Sequence, residues 1–325
     1  MSVVDPSDSN PRPDDWSRKP ERSNMLALRV ICWIALTCGR SVARLVLHPI
    51  SIYFFLFSPT ARRNIKRYLR RAIGPDIGWR DGYRLLYSFA STVLDRVYFL
   101  RGRWDLFDVS ITGNVPVEAE ALAGRGAFLL GAHVGSFEAL GACKHRSPDA
   151  PRLRAAMLMF PDNARQINAI LHAICLPEMR PHVIALGRAH SMLELRDWLD
   201  AGGMAGLLAD RTLPGQDSDP GVQRGNNLSI PFLGEPAIFN DGPFRLAVLL
   251  RRKVYFMSGL YLGGARYDVQ FEPLADFSVR ITDPAERERR IREAVQSYVT
   301  RLEDLCRKYP YNWFNFHDFW LEDGR

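Results

Sequence analysis

One histidine and one glutamate lie five positions apart in GAFLLGAHVGSFEAL, residues 126–140, a stretch that is otherwise small and apolar. A charge in such a stretch is costly unless it is paired or takes part in chemistry. A carboxylate that accepts a hydrogen bond from one ring nitrogen of histidine fixes the tautomer and stabilises the imidazolium, which leaves the other nitrogen as a general base. His133 and Glu138 therefore predict a general-base pair.

A purely structural interpretation of the two residues stays open. His133 would then hydrogen-bond a turn, and Glu138 would be an acidic residue in the first turn of a helix, where the helix dipole favours it. A nucleophilic serine is less well supported, because V-G-S-F-E lacks the G-x-S-x-G pattern around Ser136. We expect Ser136 to cap the helix that begins with FEALGAC.

The elements that must position this pair are a strand and a helix. Four short apolar runs predict buried strands: residues 127–132, 154–159, 182–186 and 204–210. Helical patterns separate them, which predicts an α/β fold with a mainly parallel central sheet flanked by helices. Functional sites in such sheets gather at the carboxyl ends of strands, where His133 lies, and a strand–turn–helix bend would bring Glu138 back toward the ring.

The C-terminal part predicts a hairpin and one long helix. KVYFMSGLYLGG and YDVQFEPL are typical of paired strands. The segment from Asp283 to Pro310 is amphipathic and has Pro284 near its start, which favours a helix. Five cysteines are scattered without pair spacing, which argues against a zinc site or a disulfide framework and indicates a reducing compartment.

The N-terminal part differs from the rest in charge and hydropathy. The net charge is +7, yet residues 22–80 alone carry eleven Arg or Lys and one acid. Residues 1–23 are polar and rich in proline, which predicts a disordered tail. Residues 24–59 are strongly apolar, interrupted by Arg40, Arg44 and His48 on one helical stripe.

A helix over about 25–47 would be ~35 Å long, enough to cross a bilayer. Two arginines near its middle make a plain span expensive, and a helix in the membrane interface with snorkelling side chains is less costly. A buried helix of a soluble core is the alternative. Residues 24–75 are therefore expected to form a membrane-associated segment.

The segment ARRNIKRYLRRAIG predicts a basic amphipathic helix. Its cations form two neighbouring rows, with Ile65, Leu69 and Ile73 opposite: Arg62, Lys66 and Arg70 in one row, Arg63, Arg67 and Arg71 in the other. No recognised nucleic-acid module accompanies them, so anionic lipid head groups are the favoured partner rather than nucleic acid. Basic flanks of this kind also favour the cytoplasmic side of a membrane.

Four segments together resemble the lysophospholipid acyltransferase superfamily, closest to its lipid A late acyltransferase branch, the lauroyl and myristoyl transferases. The segment G-A-H-V-G-S-F-E is similar to the H-x-x-x-x-D/E motif, and LLADRTLPG to a D-x-x-x-G segment. IPFLGEPAIFNDGPFRLA and YPYNWFNFHDFW are similar to two further conserved stretches of that branch. The resemblance covers roughly residues 25–320, with residues 76–325 as the implied catalytic domain.

The resemblance implies roles for several side chains. His133 would deprotonate an acceptor hydroxyl that attacks an acyl thioester, and Glu138 would orient His133. Asp210 corresponds to the family's aspartate, and Arg211 would bind a phosphate of the acyl carrier or an anion of the acceptor. A surface ion pair of little energetic consequence is the alternative for Asp210 and Arg211.

One position departs from the lipid A branch. Its members carry an arginine directly before the proline of the strand that follows the histidine motif, and Phe160 takes that place here. Arg165, five residues later, either substitutes as a substrate-binding residue or lies on a solvated helix. This departure argues against lipid A itself as the acceptor.

The expected function is membrane-associated O-acyl transfer at the cytoplasmic side of a cell inner membrane. The acyl group would pass from acyl carrier protein or acyl-CoA to a hydroxyl of a lipid or glycolipid. No metal or bound cofactor is implied, because the thioester is already activated and an oxyanion pocket of backbone N–H groups would suffice. The alternative is a non-catalytic membrane-surface lipid-binding protein on a degenerate acyltransferase scaffold.

Overall fold

The structure, a computed structural model, describes residues 25–144, 153–159, 175–176, 180–186, 189–211 and 227–320. The predicted tail over residues 1–23, together with Phe160 and Arg165, lies outside these ranges.

Helices and strands alternate through most of the described chain. The α-helices are α1 (Met25–Phe57), α2 (Pro59–Ile73), α3 (Trp79–Phe99), α4 (Val115–Leu122), α5 (Ala189–Asp200), α6 (Gly242–Leu250) and α7 (Pro284–Lys308). The strands are β1 (Asp108–Thr112), β2 (Phe128–Gly131), β3 (Ala155–Met159), β4 (His182–Ala185), β5 (Met204–Leu208), β6 (Asn227–Phe232), β7 (Glu235–Asn240), β8 (Lys253–Tyr261) and β9 (Arg266–Asp276). Short 3-10 helices cover Trp104–Leu106 and Phe137–Lys144.

The described strands form a seven-stranded sheet and a separate hairpin. The order in the sheet is β1-β9-β8-β2-β5-β3-β4, and every neighbouring pair is parallel except β8 and β9. The antiparallel β6–β7 hairpin lies apart from it. The predicted α/β fold with a mainly parallel sheet and flanking helices is confirmed, as is the β8–β9 hairpin.

Strand β2 lies at the centre of the core and is buried on both faces. Phe128 and Leu130 belong to one apolar cluster, to which α7 contributes. Ala127 and Leu129 belong to a second cluster, to which the Phe137–Lys144 helix contributes. A strand covered on both sides is apolar at successive positions, which is why the sequence of β2 shows a continuous apolar run rather than alternation.

The polar stripe of α1 contacts the rest of the protein, with Arg40 and Arg44 half-buried and His48 exposed. Arg40 forms a bidentate ion pair with Asp95 of α3, at 2.7 Å for each contact. Arg44 donates to the Tyr261 hydroxyl at 3.0 Å, and His48 Nδ1 lies 2.5 Å from the Tyr83 hydroxyl. The three side chains therefore share one face, as predicted. Their polar atoms contact α3 and the β8–β9 hairpin.

The opposite face of α1 is apolar and exposed. Gly39 has a left-handed φ of 81°, so α1 consists of two helical pieces joined by a kink. Large apolar side chains on the outer face are exposed: Trp33, Leu36, Val42, Leu45, Ile52, Tyr53, Phe54, Leu56 and Phe57. Within the described residues, Cys32–Phe57 is long and apolar enough to cross a membrane by length and composition.

Helix α2 divides its cations between the protein and solvent. Ile65 and Leu69 are buried within the protein, whereas Ile73 is 42% exposed. Arg67 reaches Asp318 at 2.7 and 2.8 Å, and Arg71 lies over the Trp320 ring at 4.6 Å. The remaining cations of the helix are exposed: Arg62, Arg63, Lys66 and Arg70.

Candidate active site

Two polar side chains follow two neighbouring parallel strands at corresponding positions. Leu130 of β2 pairs with Leu207 of β5, and the next residues along the two strands are also paired. His133 and Asp210 each lie two residues beyond the end of their strand. Because the carboxyl ends of parallel strands meet at one edge of the sheet, this register brings the two side chains together.

The Asp210 carboxylate contacts both the backbone and the ring of His133. Its Oδ2 accepts the His133 backbone N–H at 2.9 Å, and its Oδ1 lies 2.8 Å from His133 Nδ1. Trp313 Nε1 also donates to Oδ2, at 3.0 Å. An ionised carboxylate only accepts hydrogen bonds, so a neutral His133 ring carries its proton on Nδ1. The Nε2 atom is then the nitrogen that can take a proton from another group.

Neighbouring charges and hydrogen bonds keep Asp210 ionised despite its burial. Asp210 is 2% exposed, whereas the His133 side chain is 27% exposed. Burial raises the pKa of the Asp210 carboxyl, but the charges of His133 and Arg211 and the hydrogen bonds from His133 more than reverse this and hold the pKa well below its usual range. Burial lowers the pKa of the Arg211 guanidinium, and the Asp210 charge opposes that effect. Asp210 and His133 thus form a pair in which a buried carboxylate contacts a partly exposed imidazole.

A turn that requires glycine and the hydrogen bonds of its backbone N–H groups hold the loop that carries His133. Gly135 has a φ of 60°, and a Cβ there would lie 2.0 Å from the Gly259 carbonyl oxygen, so only glycine fits. The backbone N–H groups of residues 133–136 donate in turn to Asp210 and to the carbonyl oxygens of Ala132, Asn312 and Gly259. These four amides are engaged within the protein, so an oxyanion pocket would have to use other donors.

The C-terminal aromatic stretch completes the site. Phe314 N–H donates to the His133 carbonyl at 2.7 Å, and Val134 forms a β-bridge with Trp313. The Asn312 side chain both accepts from and donates to the backbone of Tyr261 at the end of β8. YPYNWFNFHDFW therefore holds the His133 loop and supplies one donor to Asp210. The sequence alone indicated no role for Trp313 or Asn312 in this stretch.

Glu138 does not contact the His133 ring, so the predicted partner of His133 is wrong. Its Oε1 lies 2.5 Å from Arg96 Nε, and its Oε2 accepts from the Ser136 hydroxyl at 3.1 Å. After the turn at Gly135 the chain continues as a 3-10 helix packed near α3, which directs Glu138 toward Arg96. Ser136 is a donor to Glu138 and does not cap an α-helix.

An apolar cavity of about 140 Å³ lies next to this 3-10 helix. Its wall combines the Arg96–Glu138 pair with apolar side chains of α3 and of the central strands, among them Leu129, Met157 and Phe271. Phe137 and Glu138 of the 3-10 helix line the cavity, and they follow His133 by four and five positions along the chain.

The other predicted site residues have different outcomes. Arg211 follows Asp210 directly and is half-buried, so the surface ion-pair interpretation of Asp210 and Arg211 is wrong. Arg165 lies outside the described residues. Among the described residues, no group of three or more His, Cys, Asp or Glu side chains is placed to hold a metal ion.

Comparison of the sequence with models of known protein families found no matching family, and comparison with curated protein sequences found no match.

Proposed function

We propose that this protein is a membrane-associated O-acyltransferase that moves a fatty acyl group from a thioester donor to a hydroxyl of a lipid or glycolipid. The observation that carries the proposal is the contact between buried Asp210 and His133 Nδ1, at 2.8 Å, with the imidazole itself partly exposed. This arrangement suits a general base whose tautomer and orientation are fixed by a carboxylate. The resemblance of four segments to acyltransferases supports the choice of reaction.

The proposed reaction uses His133 first as a base and then as an acid. His133 Nε2 takes the proton from the acceptor hydroxyl while its oxygen attacks the thioester carbonyl carbon. The tetrahedral intermediate then expels the thiolate as the C–S bond breaks. The thiolate takes the proton from the His133 imidazolium, which gives a new ester and a free thiol. Asp210 stabilises the imidazolium during this sequence through its negative charge.

The acyl chain of the donor would occupy the apolar cavity beside Glu138. Its lining is largely leucine, methionine and phenylalanine, and it includes Phe137 and Glu138, four and five positions after His133 along the chain. Acyl carrier protein and coenzyme A both present the thioester on a phosphopantetheine arm. Arg211 is the proposed contact for an anionic group of the donor or acceptor, because a positioned guanidinium binds phosphate or carboxylate through charge-assisted hydrogen bonds.

The proposed membrane contact is the outer face of α1 together with the exposed cations of α2. Leu45, Leu56 and Phe57 are 70%, 56% and 65% exposed, which leaves apolar side chains available to a bilayer. Arg40 and Arg44 face the protein on the other side of the helix, so membrane contact need not bury them in lipid. The basic α2 favours the cytoplasmic face of a cell inner membrane.

The test is acyl transfer by the purified full-length protein in detergent. Radiolabelled acyl–acyl carrier protein and acyl-CoA are offered in parallel, with lipids extracted from a strain that lacks the protein as acceptors. We expect a labelled ester product from the wild type, and at least ~10²-fold slower formation by His133→Ala, because general-base catalysis contributes about that much or more. Mass spectrometry of the product identifies the acceptor.

His190→Ala is the matched control, since His190 is an exposed residue of α5 and lies outside the site. It should turn over at the wild-type rate. Near-wild-type transfer by a folded His133→Ala protein would end the acyltransferase proposal. Tight lipid binding by the wild type without any turnover would support the non-catalytic alternative instead.

A further inference from the structure

A second cavity lies near the N-terminal end of the described chain, between the end of α1, helix α2 and the start of α3. Its volume is about 450 Å³, within the range of small-molecule sites. None of its lining residues contacts His133 or Asp210 through a hydrogen bond in the site described above. We call this cavity the α2 groove.

The floor of the α2 groove is apolar. Phe55, Ile65, Leu69 and Ile77 all contribute to its lining. The Phe55 ring packs directly on the backbone of α3 at Gly82, where a Cβ would lie 2.8 Å from the ring. A larger residue at Gly82 would displace this ring, so the close approach of α1 to α3 that shapes the groove depends on glycine.

The rim of the α2 groove is cationic. It includes Arg62, Arg63 and Lys66, all of them exposed. Arg62 donates to the Phe55 carbonyl oxygen at 3.3 Å, and no ion pair joins Arg63 or Lys66 to a carboxylate among the described residues. Asp81, at the start of α3, is engaged by the Gly78 N–H and the Tyr311 hydroxyl.

The cations on the two sides of α2 differ in their partners. On the side of α2 that faces the C-terminal stretch, Arg67 is paired with Asp318, and Arg71 lies within 3.9 Å of Glu235. On the side that faces the groove, three positive charges lie above an apolar floor, and no carboxylate of the described part of the chain pairs with them. An occupant with a negative group and an apolar chain matches both parts of this surface.

Helix α1 contributes Phe55 to the α2 groove, and the neighbouring end of α1 carries exposed apolar side chains. Phe57, at the end of α1, is 65% exposed, and Trp79, which lines the groove, is 64% exposed. Amphipathic aromatic side chains such as tryptophan favour the level of lipid head groups. A lipid whose chains lie in the bilayer beside α1 could therefore place its head group over α2.

We propose that the α2 groove binds one anionic glycerophospholipid, with the phosphate at Arg62, Arg63 and Lys66 and the start of an acyl chain on the Phe55 and Ile77 side chains. The lipid is a bound ligand here and not the acyl donor or acceptor. The inference does not depend on the proposed catalysis, because it uses none of the residues of the His133 site.

Native mass spectrometry of the full-length protein in detergent tests this binding. The probes are dioctanoyl phosphatidylglycerol, dioctanoyl phosphatidylcholine and inorganic phosphate. We expect a one-to-one complex with phosphatidylglycerol, weaker binding of phosphatidylcholine, and no comparable complex with phosphate alone. In Arg63→Gln/Lys66→Gln the affinity for phosphatidylglycerol should fall by about 10- to 30-fold, since each of the two basic residues near an anionic lipid surface strengthens binding by about fivefold at most.

The control is Arg280→Gln/Arg292→Gln, which removes the same net charge from exposed positions outside both α2 and the groove. It should bind phosphatidylglycerol within about twofold of the wild type, because screened surface charges act weakly at a distance. The proposal is overturned by no complex with the wild type, by equal losses in both double variants, or by phosphate binding as tightly as the lipid. Melting temperatures of both variants verify that they are folded.

Discussion

In the variant Asp210→Asn the carboxylate becomes an amide of nearly the same shape, and one of its two acceptors becomes a donor. Three donors point at the carboxylate: the backbone N–H of His133, the ring Nδ1–H of His133, and Nε1–H of Trp313. The single amide oxygen can serve either the two donors that share Oδ2 or the ring proton at Oδ1. It cannot serve both positions.

If the amide oxygen takes the place of Oδ2, it keeps the hydrogen bonds from the His133 backbone N–H and from Trp313. The amide NH₂ then faces His133 Nδ1. The ring must then accept at Nδ1 and carry its proton on Nε2, which is the wrong tautomer for a general base. We expect kcat to fall by about 10²- to 10⁴-fold, the contribution of general-base catalysis. The free energy of unfolding should fall by at most about 3 kcal/mol, the upper value for one hydrogen bond to a charged group. The loss does not exceed this value because the substitution also removes a buried charge.

The assay is steady-state transfer of a labelled acyl thioester, with melting temperature recorded for each protein. Glu138→Gln is the matched control, because it neutralises the carboxylate that the sequence predicted as the partner of His133. Its pair with Arg96 lies in the wall of the apolar cavity, so its effect should fall mainly on the KM of the donor. Turnover of Asp210→Asn within about threefold of the wild type, or a larger loss of kcat in Glu138→Gln, would refute the assignment of Asp210.

Three further predictions concern the support of the site and of α1. Trp313→Phe removes the Nε1–H donor to Asp210, so kcat should fall about tenfold, equivalent to ~1.4 kcal/mol, with little change in KM. Because the pKa of folded Asp210 is lowered, its stabilising contribution is present above the unfolded pKa and is lost as pH falls through the folded one. The gap in melting temperature between the wild type and Asp210→Asn should thus persist down to about pH 4 and close in stronger acid; closure already above pH 5 would contradict this. Asp95→Ala leaves the Arg40 guanidinium without its buried partner, so thermal or urea unfolding should show a loss of about 3–5 kcal/mol, and a loss below ~1 kcal/mol would speak against this packing of α1.

Local sequence patterns predicted the strands and the long helices well. Strands β2, β3 and β5 are short apolar runs that lie largely in the core, and such runs are recognisable without knowledge of their neighbours. The run at β4 was predicted to be buried as well, but β4 lies at the edge of the sheet and is exposed at His182 and Val183. The edge strand β1 and the β6–β7 hairpin were not predicted. β1 alternates between exposed and half-buried positions, and β6 and β7 each contain a proline, which argues against a strand in sequence analysis.

The correct partner of His133 could not be found from local sequence. Glu138 was favoured because it is five positions away, whereas Asp210 is 77 positions away and meets His133 only because β5 lies beside β2 in the sheet. The order of strands in a sheet is set by the packing of the whole domain, not by the pattern within each strand. One signal was present: His133 and Asp210 follow their apolar runs at the same distance, which would place them together if the runs were parallel neighbours.

Local sequence also could not predict what surrounds the polar stripe of helix α1. The stripe of Arg40, Arg44 and His48 was recognised from its spacing, but the surroundings of that stripe were not. Asp95, Tyr261 and Gly264 belong to other elements and satisfy the two arginines directly. Spacing determines which side chains share a face, and the tertiary fold determines what that face meets.

The central claim is that Asp210 acts on the reaction through His133, and a double-mutant cycle tests it most directly. The kcat of acyl transfer is measured for the wild type, His133→Ala, Asp210→Asn and the double variant, with folding verified for each. If Asp210 only orients and stabilises the His133 ring, the double variant should be within about threefold of His133→Ala, because residues that act as a unit have non-additive effects. If the two losses multiply, to about 10⁴-fold or more when each single change costs ~10²-fold, Asp210 acts independently of His133 and the account is contradicted.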